Sequence, residues 1–147
     1  MRKYLFLTLG LLAILMIAGY VSLIRKPDII FINQELNFTN IVVKQFPLTE
    51  GGRVEWWKNN REKLKNKYNI PAMAKNGDWY VDIWNFGEGF KKAPEGDIRV
   101  FNSDTQDMMC FDNDSEKCID KELLMRIENN RQGGITIIIG NRKIYYK

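Results

Sequence analysis

The chain reads as an α+β protein: an N-terminal transmembrane helix, then a small, mostly antiparallel sheet domain with one main helix. Three observations predict this class. Tyr4 to Ile24 is a run of 21 residues without a charge. Only one later stretch, Thr49 to Tyr68, spaces its apolar side chains as a long helix does. The rest breaks into short apolar and aromatic runs separated by Gly, Asn and Asp turn signals, as strands and hairpins do.

The uncharged run lies between Arg2-Lys3 and Arg25-Lys26. An α-helix of that length covers roughly 30 Å, the thickness of bilayer hydrocarbon. A secretory signal is usually shorter and ends in a small-x-small cleavage site. Cleavage after Ala18, Gly19 or Ser22 would set Met16, Ile17 or Tyr20 where the peptidase needs a small side chain. No Cys lies near the run, which excludes a lipoprotein anchor. The expectation is an uncleaved anchor at 1–26, in contact with the lipid bilayer through residues 4–24, and a separate domain at 27–147. A cleaved signal and a buried soluble helix are the competing readings; a core helix rarely lacks a polar face over such a length. Basic residues tie at two on each flank. The free amino terminus and Asp28 tip the balance towards a cytoplasmic N-terminus and an exported domain. Gly10, Ala13, Ala18 and Gly19 give no clean four-residue repeat, which favours a passive tether over an interacting span.

Charge divides along the chain. The protein carries a net charge of +4, yet all 18 acidic residues follow position 26. The four basic residues flanking the run account for the whole excess, so the domain is neutral. The basic balance is therefore no sign of nucleic-acid binding. Within the domain, residues 44–75 carry eight basic and three acidic side chains, and residues 78–128 carry six and thirteen. Such polarity can steer a partner, or two faces can neutralise each other within the fold.

The two cysteines, Cys110 and Cys118, have seven residues between them. An even count in an exported domain reads as a disulfide, with two buried free thiols as the alternative. Zinc fails on ligand number, since the chain has no His and two thiolates do not complete a four-ligand site.

The domain elements follow in order. Pro27 ends the first helix. Ile29 to Ile32 and Ile41 to Phe46 read as strands. Thr49-Glu50-Gly51-Gly52 opens a helix to about Tyr68, with Val54, Trp57, Leu64 and Tyr68 on one face and Arg61 interrupting the stripe. Lys58, Lys63, Lys65 and Lys67 cover its other faces. They suit a solvated side or an anionic lipid surface close to the anchor. Asn69-Ile70-Pro71 ends the helix, and Asn76-Gly77 marks a turn. Trp79 to Phe86 is the clearest strand. Alternation puts Trp79, Val81 and Ile83 on one side and Tyr80, Asp82, Trp84 and Phe86 on the other. The second set, above all Tyr80, Asp82 and Trp84, is the candidate interaction surface, for a sugar or a partner. The other reading is a strand buried on both sides, with Asp82 paired or near an edge. Gly87-Glu88-Gly89 reads as a hairpin turn, and Ile98 to Phe101 and Met108 to Phe111 as strands. Asp120 is placed to cap a short helix through Leu124 and Ile127. Ile135 to Ile139 and Lys143 to Tyr146 make a last hairpin around Gly140-Asn141.

Little in the sequence carries chemistry. Without His, the commonest general base and metal ligand is missing. Asp112, Asn113, Asp114 and Glu116 resemble part of a calcium loop, but Lys117 stands where Gly is needed and Leu123 where a bidentate Glu belongs. No spacing singles out a carboxylate pair. The expectation is a non-enzyme, with no cofactor and no metal.

Three blocks carry a resemblance: Phe46-Pro-Leu-Thr-Glu-Gly-Gly-Arg-Val-Glu-Trp-Trp57, Leu64-Lys-Asn-Lys-Tyr-Asn-Ile-Pro71, and Ile83-Trp-Asn-Phe-Gly-Glu-Gly-Phe90. They resemble an uncharacterised family of small enterobacterial membrane-anchored proteins. The resemblance covers most of the chain. It implies a single-pass protein of the bacterial inner membrane with its C-terminal domain in the periplasm, and it transfers no activity or functional residue. Two functions fit. One is a periplasmic binding or interaction module with a protein partner in the envelope, including immunity against an envelope-acting toxin. The alternative is an accessory subunit of a larger envelope complex.

Overall fold

A computed structural model describes residues 2–23, 26–93 and 107–147. The first helix, α1, spans Arg2–Leu23. Its described side chains, Tyr4 and 6–21, are all exposed. The expected transmembrane helix is corrected here: among the described residues no helix is long and apolar enough to cross a membrane.

The domain that follows is mostly sheet. Two long strands, β1 (Asp28–Glu35) and β2 (Phe38–Lys44), form an antiparallel hairpin. Helix α2 (Glu50–Tyr68) then carries the chain to β3 (Tyr80–Asn85), which pairs with β2 in parallel. Parallel strands need such a crossover, because a tight turn cannot reverse the chain twice. Strands β4 (Met108–Cys110) and β5 (Cys118–Asp120) form a small separate hairpin. Strands β6 (Leu123–Asn129), β7 (Ile135–Ile139) and β8 (Arg142–Tyr146) complete the main sheet, ordered β1-β2-β3-β6-β7-β8.

Helix α2 starts and stops as its sequence dictates. The Thr49 hydroxyl accepts the Gly52 N–H, and Asn69 closes the other end in the left-handed conformation. Val54, Trp57 and Leu64 enter the core on the expected face. Tyr68, expected beside them, lies at the exposed helix end, and Trp56 is buried instead against the Phe46 ring, edge to face at 5.0 Å. The main core lies between α2 and the sheet, around Ile41, Val43, Val81, Ile83, Met125, Ile127 and Ile137, all fully buried. A smaller core on the opposite face joins Val42, Phe111 and Ile119.

Two further expectations change. The short helix after Asp120 is strand β6, because Met125 and Ile127 alternate with Arg126 and Glu128 and the sheet takes that period of two. Gly87-Glu88-Gly89 turns the chain but closes no hairpin, since β3 lies between β2 and β6. The expected strand at Ile98 to Phe101 lies outside the described residues. The last hairpin, around Gly140-Asn141, forms as expected, with Gly140 at positive φ.

Candidate functional site

The site is built on the face of the sheet away from α2. Strand register carries two rows of side chains across all six strands. One row runs Glu35, Phe38, Tyr80, Glu128, Thr136, Tyr145; the next runs Asn33, Asn40, Asp82, Arg126, Ile138, Lys143. Directly opposed positions on neighbouring strands point to the same side, so each row is a contiguous band.

All three residues singled out in the sequence lie on this face, in different environments. Tyr80 is half-buried, its ring 6.1 Å from that of Phe38. Trp84 is half-buried at the edge of the smaller core, and its indole N–H donates to Asn40 Oδ1 at 2.8 Å. Asp82 is wholly buried, in the middle of the sheet rather than at an edge. Both its oxygens are taken by Arg126, with Nε at 2.6 Å and an Nη at 2.7 Å. This planar fork is the strong form of an Arg–carboxylate contact. The bonds to Asp82 hold the Arg126 guanidinium above its ordinary pKa, against the opposing effect of burial. Asp82 therefore positions a cation, and the charge this pair offers to solvent is the part-exposed Arg126. Sequence reasoning missed Arg126, Glu128, Lys143 and Tyr145. The strict alternation from Met125 to Glu128 carries the signal for the first two.

The β4–β5 hairpin covers one end of the face. Met109, Phe111 and Ile119 pack on Phe31, Val42 and Trp84, and Asn33 donates to Asp112 at 2.7 Å. The hairpin is joined by the Cys110–Cys118 disulfide, between directly paired residues. Lys91 and Cys118 exchange two backbone bonds, at 2.7 and 3.1 Å, which add residue 91 beside β5. At the other end, Tyr145 is 65% exposed. A depression of about 290 Å³ opens there, between Tyr80, Glu128, Thr136 and the Asn129–Gln132 turn. Among the described residues no group of three or more acidic or cysteine side chains could hold a metal ion.

A loop as short as the one closed by Cys110 and Cys118 is worth roughly 2–3 kcal/mol in the chain-entropy account. Reduction is expected to lower the unfolding free energy obtained from urea titration by that amount, with a matching fall in the midpoint, and the Cys110→Ala/Cys118→Ala variant to match the reduced protein. A midpoint unmoved by reductant would show that the cross-link contributes nothing to the fold.

The family model described as "Enterobacterial putative membrane protein (DUF943)" matches residues 1–147. No curated protein and no solved structure matches the chain.

Proposed function

The chain belongs to this family, and on that premise we propose that it is a binding module of the cell envelope, whose domain recognises a protein partner through the open face of its sheet. The observation that carries this reading is the pair of continuous bands on that face. Aromatic and charged groups sit there on strands rather than loops, and Arg126 is held by a buried carboxylate. Interfaces favour such rigid Tyr and Arg groups, which lose little freedom on binding. Binding rather than catalysis fits a chain without His. The cystine supports a periplasmic setting, since cytosolic thiols are kept reduced. We assign residues 4–24 the contact with lipid, on the strength of the exposed apolar side chains of α1. The narrower version is immunity, in which the partner is a toxin arriving in the envelope.

Photo-cross-linking in cells tests the face. A photoreactive residue at position 145 of the full chain is expected to capture a discrete partner band. One at position 59, on exposed α2, is expected to give none. Equal capture at both positions, or capture at 59 alone, contradicts the assignment of the face. For the immunity version, loss of the gene is expected to sensitise cells to a neighbouring toxin-producing strain.

A further inference from the structure

On the α2 side, where α2 meets the start of β1, a cleft of about 290 Å³ is lined by Pro27, Asp28, Asn60, Lys63, Lys67 and Tyr68, among others. Asn60, Lys63 and Lys67 are three and four residues apart, one stripe of α2. Lys63 and Lys67 are exposed, and neither forms an ion pair among the described residues. Lys67 instead stands 5.0 Å from the centre of the Tyr68 ring. The one acid of the cleft, Asp28, lies opposite Lys44 in the β1–β2 ladder. Exposed Lys26 adds a further positive charge next to Pro27.

Chain connectivity fixes where this cluster sits. Pro27 is four residues after Leu23, the last residue of α1. At 3.8 Å between successive Cα atoms, the cleft mouth lies within about 15 Å of the helix end. Basic groups so close to an apolar helix, with a Tyr ring among them, suit the headgroup layer of a membrane.

We infer that the Lys63–Lys67 cleft binds the phosphate of anionic phospholipid headgroups and so fixes how the domain stands on the membrane. The inference rests on the assignment of residues 4–24 to lipid. It turns α2 and the β1 edge of the sheet toward the lipid. The far edge of the sheet, with Lys143 and Tyr145, is left clear of it.

The test is lysine footprinting of the full chain on vesicles of phosphatidylcholine, with and without phosphatidylglycerol. Acylation is read by mass spectrometry. With phosphatidylglycerol, Lys63 and Lys67 are expected to react at least about fivefold more slowly. About 0.5 M salt should restore their rates, because screening then shortens the reach of each charge. Lys143 should react equally in all conditions. Equal rates at Lys63 and Lys67 on both vesicle types would overturn the inference, and so would uniform slowing that includes Lys143. Protection by soluble glycerol phosphate alone would reassign the cleft to a free phosphate ligand. Flotation with neutral vesicles reads the lipid contact of residues 4–24 separately. A chain that fails to float, yet shows the phosphatidylglycerol-dependent protection, would remove that contact and keep the cleft.

Discussion

Replacing Arg126 with alanine is expected to destabilise the domain by about 3–5 kcal/mol, the usual cost of leaving a buried charge without its partner. Asp82 is wholly enclosed between β2 and β6, and both its oxygens depend on the guanidinium. Removing Asp82 instead should cost less, because Arg126 is part-exposed and water can solvate it. The double variant Asp82→Leu/Arg126→Met, which replaces the pair with apolar volume, should recover most of the loss. The pair should also be insensitive to alkali. The Arg126 pKa is raised, so any stability it contributes is present below the ordinary arginine value and is lost only as pH rises through the higher folded value. Urea titration of the three variants decides. If Arg126→Ala unfolds at the wild-type midpoint, the pair does not hold the sheet.

Truncating Trp57 to alanine is the second large effect, about 3–5 kcal/mol for a buried aromatic. Trp57 is 2% exposed and joins α2 to the main core. Its indole N–H is enclosed without a hydrogen-bond partner among the described residues. That donor is desolvated with no return, a cost of about 1–3 kcal/mol. Trp57→Phe removes it and keeps most of the ring, so the loss should be about half that of Trp57→Ala or less. If the phenylalanine variant is as unstable as the alanine variant, the nitrogen has a partner in solution. Calorimetric midpoints for the two proteins separate these cases.

Much of the fold is legible locally. Thr49, Asn69 and the Val54–Trp57–Leu64 spacing define α2 almost to the residue, because capping and helical period act within a few residues. The β7–β8 hairpin is legible for the same reason. Strand β6 is not. Leu124 and Ile127 are three apart, which fits a helix turn, and Asp120 resembles a cap. Only pairing with β3 and β7, both distant in sequence, selects the period of two. Helix α1 fails differently: length and absence of charge pointed to a span that the described residues do not supply. For the site, alternation in β3 put Tyr80, Asp82 and Trp84 on one face. It could not reveal that Asp82 is spent on a residue 44 positions away. Nor could it foresee that Trp84 is half covered by a hairpin whose strands are too short to stand out.

The strand order has a consequence for how the chain folds. The parallel β2–β3 pair, joined by α2, is complete once residue 85 has emerged, whereas β6 begins at Leu123. Until β6 arrives, β3 is an edge strand with an unpaired row of backbone groups and Val81 and Ile83 beside it. Such an edge invites pairing with another chain. Asp82 lies on that same edge, without its arginine until β6 is in place. An acidic side chain on an open edge is the kind of residue that discourages such pairing, and it stands where Arg126 binds in the finished sheet.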